Sequence, residues 1–236
     1  MKKLYLLFAL PVLLWGFIIL NPDKQQETPA SIQLKKINAA GCSSYSGNEG
    51  DIRVAGDGKF ITVLPGWGTH TYSISTKNDS AQCYFNQGLN MYYGYHWREA
   101  WASFKESARF DPGSAMSYWG EALAMGPGYN FSLHYRMRKE VPEALEKMNQ
   151  HSSQANPREK KLIEIMNSRY DGDSADANRV SLNIAYAKGL RELINEYPED
   201  PEIKTFYIDA VMLVHPWDFW KNDGTPKAWT PEVVGF

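Results

Sequence analysis

The chain has 236 residues, 43 % of them apolar and 22 % charged, which is the mixture of a globular protein of one or two domains and excludes a disordered or collagen-like chain. Its formal net charge of -2 provides no basic field to gather a phosphate backbone, so no nucleic-acid partner is expected.

Lys2 and Lys3 precede an uncharged apolar run from Leu4 to Leu20, the pattern of an export segment. The run is long for a cleaved signal peptide and slightly short for a full span, and no small-residue cleavage site follows it closely. Residues 1–20 therefore fit either a signal peptide or an N-terminal membrane anchor. Both place the rest of the chain outside the cytoplasm, in the periplasm or cell envelope, tethered to the inner membrane if the segment stays. Residues 21–40 are polar, with Pro22 and Pro29, and read as a linker. Residues 41–80 are rich in Gly and Ser, with β-branched runs at Asp51–Val54 and Phe60–Leu64. They predict an irregular segment with two short strands, packed against the first helical unit. Cys42 and Cys83 could pair in an oxidising compartment, and their spacing fits no zinc pattern. The plainer reading buries Cys83 on a helix and leaves Cys42 in a loop.

From residue 81 the pattern turns helical. Ala81–Ser114 reads as one 34-residue tetratricopeptide (TPR) unit, with Tyr84, Gly88, Met91, Ala100, Phe104 and Pro112 at or near the slots of that repeat. Asn78, Asp79 or Ser80 can cap its first helix, which ends near Gly94. A second unit begins at Ala115 with Tyr118, Ala122 and Met125 in register, then breaks at Gly126-Pro127-Gly128. An insertion to about Arg138 precedes its partner helix, where Pro142 suits the first turn. A third unit follows Asn156-Pro157, turns at Asp171-Gly172-Asp173 and closes at Pro201. A fourth begins near Glu202 and stops at His215-Pro216. The expected fold is thus all-α: a TPR-like helix-turn-helix solenoid of about three and a half units over residues 81–216. An aromatic tail, 217–236, follows.

Several strings make the chain similar to a family of exported bacterial TPR proteins with no assigned activity. They include Phe85-Asn86-Gln87-Gly88-Leu89, Tyr93-Gly94-Tyr95-His96-Trp97-Arg98-Glu99-Ala100, Ala115-Met116-Ser117-Tyr118-Trp119-Gly120, Met125-Gly126-Pro127-Gly128-Tyr129-Asn130, Asn156-Pro157-Arg158-Glu159-Lys160 and Pro216-Trp217-Asp218-Phe219-Trp220. The resemblance runs from about Gly68 to the C-terminus. It implies a longer array with further repeats, of which this chain would be the N-terminal part. It also implies a groove lined by first-helix positions: Gln82, Phe85, Leu89 and Tyr92 in the first unit, Trp119 in the second, and Lys161, Glu164 and Ser168 in the third. That surface passes from aromatic to charged and suits a protein or peptide with one apolar and one polar end. The competing reading packs Phe85 and Trp119 under the 41–80 segment, where they bind nothing.

The five histidines show no closely spaced ligand pair, so no metal or cofactor is expected; His70 and His96 are the weak metal candidates. An alternative function is a metal-dependent or small-ligand site on the loops around His70, His96 and Asn130. No phosphate loop, nucleophile elbow or paired-carboxylate motif is present, and no catalytic residue is assigned. Gln87 and Glu121 both occupy a slot that normally holds Leu. They are expected either to bond each other between units or to tilt outward. The last helix carries Phe206, Tyr207, Val211 and Leu213 with no polar cap after it, so self-association through that end is expected unless the tail covers it.

Overall fold

Three helices of this chain begin where a side-chain oxygen, from Asn78, Asn156 or Asp200, meets free backbone N–H groups. A computed structural model describes residues 56–236, apart from 131, 133, 134 and 174. The expectations placed on residues 1–55, namely the export segment, the linker, Cys42 and the strand at 51–54, lie outside the described residues. In α1 (Asp79–Tyr93), the Asn78 side chain accepts from Ser80 and Ala81 N–H. A tight turn leads to α2 (Trp97–Phe110). Helix α3 (Ala115–Ala124) follows, then α4 (Val141–His151) with Pro142 in its first turn. Helix α5 (Pro157–Asn167) starts with a capping box, in which Asn156 and Glu159 satisfy each other's backbone N–H. Helix α6 (Arg179–Glu196) and α7 (Pro201–Val214) come next; Asp200 caps α7 through Glu202 and Ile203 N–H. A short α8 (Thr230–Val234) closes the described chain.

Packing is by neighbours. Helix α1 lies on α2, α3 on both α2 and α4, and α6 on α7. The first three helices meet at the Phe104 ring. A Cβ at Gly88 would stand 2.5 Å from that ring and one at Gly120 2.3 Å, so the ring fits only where both helices lack side chains. The repeat slot at Gly88 thus has a steric cause. The third pair departs from expectation. Residues 168–178 separate α5 from α6, and α6 packs more closely on α7 than on α5. The architecture is all-α with paired helices in repeat-like order.

Two expectations are corrected. There is no strand among the described residues. Phe60–Leu64 is irregular, because its backbone groups bond to side chains of α1 and α2 instead of another strand; one isolated bridge, Trp220 to Pro226, is the only β pairing described. Cys83 is exposed rather than buried. It faces a cleft beside residues 63–71 instead of the packed side of α1. The membrane anchor was expected at residues 1–20, which lie outside the described residues. Among the described residues no helix is long and apolar enough to cross a membrane.

The tail lies on α6 and α7. Glu232 accepts from Tyr207 Oη at 2.9 Å and pairs with Arg191, while the Phe236 ring stands edge-on to Tyr207 at 5.7 Å. Trp229 stacks on His215 with ring centres 3.7 Å apart.

Candidate functional site

The inner face of the array is built from α1, a strap formed by residues 60–76, and α7. Gln82, Asn86 and Asn90 are spaced four apart and so share one face of α1. Their amides take the place of a neighbouring strand. Tyr72 N–H donates to Asn86 Oδ1 at 3.1 Å and Ile74 N–H to Gln82 Oε1 at 2.9 Å; Gln82 Nε2 donates to Tyr72 O and Asn90 Nδ2 to His70 O. On the next face, Gln87 accepts from Leu64 N–H at 2.8 Å and donates to Thr62 O and Ser103 Oγ. Two fully buried carboxylates anchor the strap's ends: Glu106 accepts from Phe60 N–H and Glu159 from Ser75 N–H. Gln87 and Glu121 therefore do not bond each other. Glu121 is buried against Trp101 Nε1 at 3.2 Å and Lys105 Nζ at 3.6 Å, and burial pushes its carboxyl above the ordinary range despite those partners.

Helix α7 occupies the centre of the expected groove. Its Phe206 ring lies 5.0 Å from Trp119, 6.2 Å from Tyr72 and 6.5 Å from Tyr93. Polar pairs flank that ring. Tyr92 Oη donates to Asp209 Oδ2 at 2.7 Å, and Tyr93 Oη to Glu202 Oε1 at 2.5 Å. His70 Nε2 meets Glu202 Oε2 at 2.7 Å. Arg158 pairs with Asp200 at 3.1 Å and lies over the Tyr72 ring. Desolvation raises the Glu202 carboxyl, opposed by the Tyr93 hydroxyl and His70, and raises Asp209, opposed by Arg169 and Tyr92. Burial drives the Tyr92 and Tyr93 phenols well above their ordinary value, so both remain hydrogen-bond donors at neutral pH.

The residues expected to bind a partner therefore fall into two groups. Phe85, Leu89 and Trp119 are wholly inside, Tyr92 is committed to Asp209, and Gln82 holds the strap. Trp119 is covered by α7 rather than by the strap, and its indole N–H donates to Leu162 O at 3.1 Å. Lys161, Glu164 and Ser168 instead line an open groove of about 310 Å³ between α5 and α6. Its other wall carries Lys188, Glu192 and Glu196, and Ile165, Gly189 and Leu193 add apolar surface. The α6 wall was missed because repeat geometry credits only first helices with groove positions. A signal for it existed in Gly189, whose missing side chain lets α6 approach Ile165.

The three loops of the alternative reading are placed differently. His70 goes to Glu202, His96 packs edge-on against Trp67 at 4.4 Å, and Asn130 is exposed. Among the described residues no group of three His, Cys, Asp or Glu could hold a metal ion. What the loops bring together is aromatic: Tyr95 beside Trp97 at 5.7 Å, Trp97 against Gly128, and Tyr129 beside Trp217 at 4.8 Å. Tyr95 and Trp217 hold left-handed backbone, with φ of 62° and 59°. No family model, curated protein or solved structure matches this chain.

Proposed function

We propose that this protein is an exported scaffold of the tetratricopeptide type that holds a peptide segment of a protein partner in the groove between α5 and α6. The repeat assignment is supported by the pairs α1/α2 and α3/α4 and by glycines at the positions where the Phe104 ring crosses between helices. Export is supported by Lys2, Lys3 and the apolar run that follows them. The binding site is carried by one observation. Of the expected groove residues, Lys161, Glu164 and Ser168 line an open groove, and α6 adds Lys188, Glu192 and Glu196 to it. Both walls carry both signs of charge around an apolar strip. Such a surface fits a segment that inserts an apolar side chain between flanking acidic and basic ones.

Peptides selected on the protein from a displayed library test this reading. They are expected to share an apolar residue flanked by charges of both signs, and to bind more weakly as salt rises. Lys161→Ala combined with Glu192→Ala changes two exposed side chains and leaves the core intact. It should weaken the selected peptides about tenfold, the scale of a few lost charged contacts. Selected peptides that bind this variant as well as the parent would remove the groove from the proposal.

A further inference from the structure

The tail returns to the body of the protein at one stacked pair of rings. His215, which ends α7, lies flat on Trp229, with ring centres 3.7 Å apart and planes inclined by 4°. Trp229 directly precedes α8, whose Glu232 reaches Arg191 and Tyr207, and Phe236 beyond it meets the Tyr207 ring. Between the two stacked residues the chain forms a small hairpin, in which Lys227 N–H donates to Phe219 O at 3.1 Å and Lys221 N–H to Thr225 O at 2.9 Å. The hairpin is thus bonded within itself, and the stack joins its base to α7.

Trp229 has a second partner. Lys227 Nζ stands 5.7 Å from the centre of the same indole and pairs with Asp218, while the indole N–H donates to Asp218 O at 2.8 Å. Asp218 and Lys227 are the charged groups beside His215. A neutral imidazole adds ring contact to the stack. A charged one loses water from one face and places a second cation at an indole that already has Lys227. The Asp218 carboxylate and the C-terminal end of α7 favour the charged form, but that carboxylate is already paired with Lys227. Burial is the largest influence, and with Lys227 it holds His215 below its ordinary 6.5 against the pull of Asp218.

A proton therefore binds His215 more tightly once the rings have parted. The contribution of the stack is complete above the ordinary 6.5 and is lost as the pH falls through the lower value of the stacked state. We propose that the His215–Trp229 pair is a proton-operated latch: neutral His215 holds residues 227–236 against α6 and α7, and a proton on His215 releases them, uncovering Tyr207 and Arg191. The latch does not depend on the groove between α5 and α6.

Hydrogen exchange of the full chain at about pH 7.5 and about pH 5.5, on either side of the histidine range and corrected for the intrinsic pH dependence of exchange, tests the latch. The Thr230 and Gly235 amides are bonded within α8 and its first turn, and a helix that short does not persist without packing. Both are expected to exchange severalfold faster at the lower pH, with the α1 amides unchanged. His215→Phe keeps a flat ring on Trp229 and cannot charge, so its tail should exchange equally at both pH values. Lys227→Gln removes the second cation and frees Asp218 for His215, and should shrink the acid effect. Tail exchange that ignores pH, slows in acid, or accelerates in His215→Phe as much as in the parent would overturn the proposal. So would an acid effect undiminished in Lys227→Gln, or acceleration that reaches α1 equally and marks loss of the whole fold.

Discussion

Single residues carry much of the chemistry here, and Glu121 shows how. It occupies a leucine slot, is buried, and takes partners from two directions, Trp101 and Lys105. Desolvation still wins over both, so its folded pKa lies above the ordinary 4.5. A raised carboxyl binds a proton more tightly in the folded state than in the unfolded one. Its stabilising contribution is therefore complete below about pH 4.5 and is lost as the pH rises through the folded value. Glu121→Gln removes that loss while leaving an oxygen for the Trp101 N–H. Urea unfolding of parent and variant between pH 4.5 and 7 should show the variant gaining on the parent as the pH rises. A constant gap would mean that Lys105 and Trp101 balance desolvation, and a parent that gains instead would mean that they outweigh it.

At the scale of elements, the strap turns α1 into a surrogate strand edge. The pattern Gln82, Asn86, Asn90 does this because an extended backbone offers a row of N–H and C=O groups and a helix offers side chains every four residues on one face. Asn86→Ala deprives Tyr72 N–H of its acceptor and Gln82 of a partner. The expected cost is about 1–3 kcal/mol, the penalty of an unsatisfied donor at a half-buried site. Hydrogen exchange should show the Tyr72 and Ile74 amides losing protection first. Unchanged protection at those amides would show that apolar contacts alone hold the strap.

The helices themselves were legible. The Asn78 cap, Pro142, the start after Asn156-Pro157, and the breaks at Gly94, Gly126 and Pro201 put helix ends close to where the structure has them, because capping and chain breaks are local chemistry. Phe60–Leu64 in the strap was misread as a strand because β-branched residues signal extended backbone without saying what accepts its hydrogen bonds. The filling of the inner face was not legible at all. Position in a repeat marks Phe85, Leu89 and Trp119 as groove-facing, and only tertiary packing reveals that Phe206 faces the same way from the other end of the chain.

Across the whole molecule, that packing changes how stability is shared. A stack of repeats with nearest-neighbour contacts alone can lose one end and keep the other. Here Tyr72 approaches Asp200, Tyr92 holds Asp209, and Trp119 meets Phe206, so the first and last helices of the array are joined directly. Phe206→Ala removes the ring at the centre of these contacts, at an expected cost of about 3–5 kcal/mol. Its effect should not stay local. Amide exchange should accelerate in α1 as well as in α7, with urea unfolding still in a single transition. Faster exchange confined to α6 and α7 would show that the two ends melt independently.

The same Trp119–Phe206 contact sets a delay during synthesis. At cellular rates of roughly 5–20 residues per second, the ribosome makes Phe206 on the order of ten seconds after Trp119. Until then the face carrying Phe85, Leu89 and Trp119 lacks its cover, and the first helices cannot close into their final arrangement. A chain that must cross a membrane has to stay loose enough to be threaded. By assigning the last piece of its interior to a late helix, this protein postpones its own closure, which suits the export proposed above.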